Sequence, residues 1–183
     1  MGICRAFADL LSYPRAGVLA LVDECLAELA SPARQDVPAR LASDLLAFRA
    51  SAERLGLARL EEAYAAAFDF DPACSLSVGH HVFGETARRS VFMCRLAEMY
   101  RDAGQSAVSA DLPDHLPAIL RFLDAGPAGP ATDELVADAV VPALQRVAEA
   151  LGRANHPYAP VVCALLGSLT GAATETRRQG APA

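Results

Sequence analysis

The segment that decides the fold is residues 60–76, LEEAYAAAFDFDPACSL. Its first part is helical in pattern, because Leu60, Tyr64 and Phe68 follow one another at i, i+4 and i+8 and so share one helix face. Pro72 then disfavours the helical conformation of the residue before it. The segment therefore predicts a helix that is followed directly by a turn.

Helical periodicity continues on both sides of this segment. Alanine and leucine are abundant, 53% of the residues are hydrophobic, and no stretch sustains the apolar and polar alternation of a strand. The predicted fold class is all-α, a single-domain bundle of roughly seven to nine helices. We expect this domain to span residues 1–173 and to be followed by a polar, disordered tail at residues 174–183.

Glycine and proline residues mark the expected ends and irregularities of these helices. Gly56 is predicted to separate two helices, and Gly104 is predicted to cap the long helix of residues 88–103 at its C-terminus. Thr132 is predicted to cap a later helix that has acidic residues in its first turn. Pro142 lies inside that helix, so we expect a kink or a break there.

Charge and cysteine content limit the class of function. The net charge of −6 disfavours nucleic acid or an anionic membrane as a partner and suits a basic peptide. The five cysteines are far apart and lack a C-x-x-C motif, which argues against disulfides and a zinc site and fits a cytoplasmic protein. No apolar run is long enough for a membrane span, and we expect no secretory signal at the start.

The polar residues do not form a recognisable catalytic or metal-binding motif. His80 and His81 are adjacent and so do not share a helix face, and we interpret them as loop histidines rather than metal ligands. His115 beside Asp114 could act as a general base in a small all-α enzyme. Because no second converging group or cofactor loop accompanies them, we predict that the protein is not an enzyme and holds no metal or cofactor.

The apolar content suggests a surface for another protein. Exposed apolar patches usually mark partner sites, and a groove between helices could hold an amphipathic peptide. Close packing of alanine-rich helices is the alternative explanation. Arg88 and Arg89 are expected to be solvated or paired with carboxylates rather than to bind phosphate. An apolar surface also permits a homodimer.

Several short blocks resemble one known family in their order and spacing. They are LLSYP at residues 10–14, EAY at 62–64, FD at 68–69, SL at 75–76, GETARR at 84–89, YRDAG at 100–104, DLPDHLP at 111–117 and PYA at 157–159. Together they resemble the NarJ-like chaperones, the delta-subunit assembly factors of respiratory nitrate reductase, within the TorD/DmsD class of redox-enzyme maturation proteins. The chain departs from the usual family residues at Gly79, Glu85, Ala87 and Ser90, which leaves the client enzyme open.

The resemblance implies a cytoplasmic, non-catalytic chaperone that is absent from the finished enzyme. Such a protein binds the N-terminal segment of an apo catalytic subunit and holds it for molybdenum cofactor insertion. The client is expected to be nitrate reductase or a related exported molybdoenzyme, and a stable non-catalytic subunit is the remaining alternative. The client-binding residues expected from motif position are Tyr64 and Phe68 as groove wall, with Glu85, Arg88, Asp111, Asp114 and His115 as polar rim.

Overall fold

The computed structural model describes residues 2–30, 39–105, 112–126 and 129–179, with side chains as far as residue 171. These residues form nine helices and no extended strand, which confirms the predicted all-α bundle. In chain order the helices are α1 (Ile3–Leu10), α2 (Val18–Leu29), α3 (Ala39–Leu55), α4 (Leu57–Tyr64, extended by a π-helical turn at Ala65–Asp69), α5 (Val78–Phe83), α6 (Ala87–Asp102), α7 (Leu116–Ala125), α8 (Pro130–Leu135, a π-helical turn at Val136–Val140, then Val141–Arg153) and α9 (Ala159–Gln179).

Helix α9 contacts three other helices and supplies much of the core. It packs against α3, against the C-terminal part of α8 and against α1. Its residues Val161, Val162 and Leu165 are completely buried. Full burial of such a side chain is worth about 1.5–3 kcal/mol relative to exposure, so this apolar stripe is a major source of stability. Helix α1 is covered in turn by α2 and α7.

An aromatic cluster joins the start of α9 to the end of α4. Tyr158 is completely buried, and its ring centroid lies 4.9 Å from that of Phe48, 5.7 Å from Tyr64 and 5.3 Å from Phe68. The hydroxyl of Tyr64 donates a hydrogen bond to the carbonyl of Leu11 at 3.0 Å, just beyond α1. Edge-to-face aromatic contacts of this kind favour one arrangement of the rings. The cluster therefore holds the C-terminal end of α4 against the residues that precede α9.

Two predicted helix ends are confirmed. Gly56 lies between α3 and α4, and Gly104 directly follows the C-cap of α6 with φ of +69°. The amide of Gly104 donates to Arg101 O at 2.9 Å, and that of Gln105 donates to Tyr100 O at 2.8 Å. These two hydrogen bonds form a Schellman motif, in which the positive φ favours glycine because it lacks a Cβ.

The predicted start of α8 was wrong. The helix begins at Pro130 with Gly129 as its N-cap, so Thr132 lies inside the first turn instead of capping it. Proline suits this position because the first amides of a helix need no intrahelical partner. The predicted irregularity near Pro142 takes the form of the π-helical turn at Val136–Val140, directly before the residue that precedes this proline. A wider turn accommodates a proline, which cannot donate a backbone hydrogen bond.

Helix α5 was missed by the sequence analysis, which placed His80 and His81 in a loop. Both histidines lie on this helix, which has only six residues. A helix of this length spans less than two turns, which is too short for apolar periodicity to identify it. The histidine pair therefore has a defined helical orientation.

A short backbone pairing connects the segment before α5 with the segment before α7. It is an isolated antiparallel β-bridge. The amide of Val78 donates to Asp114 O at 2.9 Å, and the amide of Leu116 donates to Leu76 O at 2.8 Å. The bridge brings together two segments that lie far apart in the sequence, and it positions the residues on each side of it.

The C-terminal end of the described structure is helical. Helix α9 passes the expected domain boundary at residue 173 and continues to Gln179, and the disorder of the tail stays a prediction. The sequence also predicts a short loop at residues 106–110, and these residues lie outside the described part of the chain. No helix in the described part of the chain is both long and apolar enough to span a membrane.

Removal of the hydroxyl group is expected to have different effects on stability at Tyr158 and at Tyr64. Tyr158 Oη is buried and has no hydrogen-bond partner among the described residues, whereas Tyr64 Oη is bonded to Leu11. Tyr158→Phe should leave the free energy of unfolding unchanged or raise it by up to about 1 kcal/mol, while Tyr64→Phe should lower it by about 1 kcal/mol. Urea denaturation measures both, and an equal loss in the two variants would contradict the assignment.

Candidate functional site

A cleft of about 190 Å³ opens between the end of α4, the turn that follows it, and helices α5 and α6. It contains carboxylates, an imidazole, a guanidinium, hydroxyls and an aromatic ring. The lining residues are Phe68, Asp69, Asp71, Pro72, Ser75, Ser77, His80, Glu85 and Arg89. The combination of apolar and charged groups suits a peptide side chain better than a purely apolar ligand.

The π-helical turn at the end of α4 shapes one side of this cleft. It directs Phe68 into the protein and leaves Asp69 and Phe70 exposed, the latter by 80%. Asp71 then orders the next turn, since its Oδ1 accepts a hydrogen bond from the amide of Ala73 at 2.9 Å. Single π-helical turns of this kind occur frequently at functional sites. The turn places two carboxylates and an exposed aromatic ring beside one another along the chain.

Three hydrogen-bonded side chains, His80, Glu85 and Arg89, form a second wall of the cleft. Glu85 Oε1 accepts hydrogen bonds from His80 Nδ1 and from Arg89 Nη1, both at 2.8 Å. Because a carboxylate only accepts, Nδ1 of His80 must carry the proton. The hydrogen bond from His80 and the positive charge of Arg89 lower the pKa of Glu85. Glu85 is therefore an anion at neutral pH.

A second carboxylate lies beneath this wall. Asp114 is 0% exposed, and its Oδ2 accepts a hydrogen bond from Arg89 Nε at 2.8 Å, which raises the pKa of the guanidinium. A Cβ added to Gly79 would lie only 2.7 Å from this oxygen and 3.1 Å from atoms of Arg89 and Phe92. Helix α5 can approach the carboxylate only because residue 79 has no side chain. Gly79 thus makes room for the ion pair.

The two adjacent histidines have different environments. His80 lines the cleft, whereas His81 is buried, and its Nε2 lies 2.7 Å from Ser75 O. The guanidinium of Arg146 donates to the carbonyl of His81. Burial lowers the pKa of His81, so this imidazole is neutral at pH 7. No three histidine, cysteine or acidic side chains converge as potential metal ligands anywhere in the described ranges.

The structure brings only some of the expected client-binding residues together. Phe68 and Glu85 both line the cleft. Tyr64 is buried behind Phe68, with the two ring centroids 4.9 Å apart, and it does not reach the cleft surface. Of the two residues expected as groove wall, only Phe68 lines the cleft, and Tyr64 packs against it from the core.

The other expected residues that the structure describes are not among those that line the cleft. Arg88 is exposed but is not among the residues that line the cleft. Asp114 was expected at a polar rim and is instead completely buried, because it pairs with Arg89 below the wall. His115 is half-buried at the N-cap of α7. Asp111 lies outside the described residues.

The sequence analysis missed four of the five titratable residues that line the cleft, namely Asp69, Asp71, His80 and Arg89. Asp69 and Asp71 were not among the expected client-binding residues, His80 was interpreted as a loop residue, and Arg89 was one of an undifferentiated pair. The spacing of Glu85 and Arg89 was a usable signal, because a carboxylate just before the start of α6 can reach a cation in its first turn. The missed acidic residues matter most, since they give the lining three carboxylates against one guanidinium.

A cleft between helices that combines apolar and charged groups is a geometry that can hold a peptide segment. Residues 27–164 match the family described as nitrate reductase delta subunit, and the chain belongs to that family. It is 29% identical over 157 residues to the nitrate reductase molybdenum cofactor assembly chaperone NarJ of Escherichia coli K12, and equally to that of E. coli O157:H7. The match covers 86% of this chain, which spans 65% of the length of these relatives.

Alanine at position 79 is expected to destabilise the protein. The added Cβ would meet Asp114 Oδ2 at 2.7 Å, and such overpacking costs about 1–3 kcal/mol. Gly152 is the matched control, because it is an exposed helical glycine with no atom near its added Cβ. Gly152→Ala should raise stability by up to about 1 kcal/mol. Thermal or urea denaturation compares the two variants, and equal stabilities would show that Gly79 is not tightly enclosed.

Stability is expected to fall as the pH decreases below 6.5. Burial lowers the pKa of His81 and His156 from the ordinary value of 6.5, so the unfolded chain takes up these protons before the folded chain does. Their contribution is fully present above pH 6.5 and is lost as the pH falls towards the folded pKa. Glu85 contributes to the pH dependence in a lower range. Because its pKa is lowered from 4.5, its contribution to stability is present above pH 4.5 and is lost as the pH falls towards the folded pKa.

Urea denaturation above and below pH 6.5 measures this loss. The double variant His81→Gln, His156→Gln should show a smaller decrease in the denaturation midpoint over the same pH interval, since glutamine does not titrate. An unchanged decrease in that variant would assign the pH dependence to other groups.

Proposed function

We propose that this protein is a cytoplasmic chaperone for the assembly of a nitrate-reductase-type molybdoenzyme. It binds the apo catalytic subunit through its N-terminal segment and holds it ready for molybdenum cofactor insertion. It is neither a catalyst nor a part of the finished enzyme. The observation that carries the proposal is the family match over residues 27–164, together with the description of the E. coli relatives as molybdenum cofactor assembly chaperones.

The cleft beside α5 is the proposed docking place for the client segment. Its lining has an excess of carboxylates, and the chain as a whole has a net charge of −6. A basic segment of the client would be attracted to such a surface, and electrostatic complementarity contributes to both association rate and specificity. Phe68 in the lining and the exposed ring of Phe70 offer apolar contact for a neighbouring side chain. The proposed ligand is therefore a basic, partly apolar peptide.

A related exported molybdoenzyme is the second candidate client. The identity of 29% and the 65% coverage of the relatives leave room for a different catalytic subunit. Both candidates share the same chemistry at the cleft, so the client is identified by what the protein captures in its own host.

Affinity capture of the tagged protein from its host under anaerobic conditions is expected to recover a catalytic subunit that is poor in molybdenum. The physical reason is that a chaperone has differential affinity for the apo client and releases it after cofactor insertion. Mass spectrometry identifies the subunit, and elemental analysis measures its molybdenum content. Recovery of a fully metallated complex would instead indicate a stable subunit, and recovery of no molybdoenzyme subunit would contradict the proposal.

A charge-matched pair of variants tests the cleft in the same experiment. Asp69→Asn with Glu85→Gln removes two carboxylates from the lining, whereas Glu62→Gln with Glu98→Gln removes two exposed carboxylates from outside it. The first double variant should capture about tenfold less client, and the second should capture the wild-type amount. Equal capture by both would place the client elsewhere on the surface.

A further inference from the structure

The buried carboxylate of Asp114 is connected to the cleft through other side chains. Its Oδ2 accepts from Arg89 Nε, and Nη1 of the same guanidinium donates to Glu85, each at 2.8 Å. Glu85 also accepts from His80 at 2.8 Å. Asp114 is 0% exposed and Glu85 is 72% exposed. The connected groups therefore lead from the protein interior to the solvent-facing wall of the cleft.

A gain in folding stability does not adequately explain why the protein contains this buried ion pair. The desolvation of two charges often offsets their attraction, and well-packed apolar residues commonly replace such a pair without loss. Asp114 Oδ1 has no hydrogen-bond partner within the described ranges, so its removal from water is only partly compensated. The carboxylate also requires a glycine at position 79. A role in orientation accounts for these costs better than a role in stability.

We propose that Asp114 is a positioning residue that sets the charge pattern of the cleft through Arg89; this inference rests on the proposed function. The guanidinium is planar and its donors have fixed directions. When Nε is bonded to Asp114, Nη1 is directed at Glu85. The cation is held by two carboxylates, and Asp69 in the lining of the same cleft stays available for a cation of the client.

Asp114 does not act by touching the client, because it is completely buried. Its effect is indirect. Without this carboxylate, Arg89 loses one of its two anchors and is free to turn towards the remaining anionic groups of the lining. A cation that neutralises those groups competes with the client for them. Loss of Asp114 should therefore weaken binding of a basic peptide although the peptide never contacts this residue.

The test is a double-mutant cycle between Asp114→Asn and Arg89→Gln. The probe is a fluorescent synthetic peptide with the N-terminal sequence of the nitrate reductase catalytic subunit encoded in the same genome. Asp114→Asn should weaken its binding about tenfold in the wild-type background and should leave it unchanged in the Arg89→Gln background, where no guanidinium can turn towards the other carboxylates of the lining. A merely structural role for Asp114 would give the same loss in both backgrounds, which would overturn the inference.

A spectroscopic measurement separates positioning from binding. The Nε–H of Arg89 should exchange slowly with water in the wild-type protein, because it is bonded to a buried carboxylate, and rapidly in Asp114→Asn. Nitrogen-15 NMR observes this proton without any peptide present. A slowly exchanging proton in the variant would show that Asp114 does not hold the guanidinium.

A conservative change covers the case in which Asp114→Asn does not fold. Arg89→Lys retains the charge but cannot bridge two carboxylates in the fixed geometry of a guanidinium. It should weaken peptide binding as Glu85→Gln does, while Arg95→Lys on the exposed face of α6 should not. Wild-type affinity in a folded Arg89→Lys variant would overturn the inference.

Failure of the inference differs from failure of the proposed function. If the wild-type protein binds the peptide and the Asp114 and Arg89 variants bind it equally well, the positioning role is wrong and the chaperone proposal is unaffected. If the wild-type protein does not bind the peptide at all, N-terminal segment binding at the cleft is itself wrong.

Discussion

The ion pair between Asp114 and Arg89 is the constraint on which the arrangement of the segments around the cleft depends. A fully buried carboxylate is costly unless it is paired, so the segment before α7 and the start of α6 must meet where this pair can form. The backbone bridge next to Asp114 joins the same segment to the start of α5. Because α5 packs over the pair without a side chain at Gly79, these three parts of the chain have one mutual arrangement.

The rest of the bundle supports this arrangement from behind. The aromatic cluster around Tyr158 holds the end of α4, and the π-helical turn there directs Phe68 inward and its acidic neighbours outward. Each side of the cleft is therefore attached to the core by a different interaction, aromatic packing on one side and an ion pair on the other. A preformed wall of this kind reduces the ordering that a bound peptide must bring about.

Much of the fold follows from local sequence, and less of the site does. Periodic apolar residues identified the long helices, and Gly56 and Gly104 identified two of their ends. The start of α8 was misplaced because proline at the first position competed with threonine as a signal. Of the residues expected to bind the client, Phe68 and Glu85 line the cleft, whereas Arg89 and Asp69 line it without having been expected there. Their roles depend on partners that are distant in the sequence.

The sequence by itself determined the all-α class, the long helices, the absence of a recognisable catalytic motif and the family, because periodicity and motif order are local properties of the chain. Only the tertiary structure decided that Arg89, and not the adjacent Arg88, lines the cleft. Arg88 and Arg89 are equivalent in composition, yet only Arg89 points to a buried carboxylate 25 positions away. The burial and pairing of a side chain depend on contacts between segments that are distant in the sequence. Such contacts cannot be predicted from the spacing of neighbouring residues.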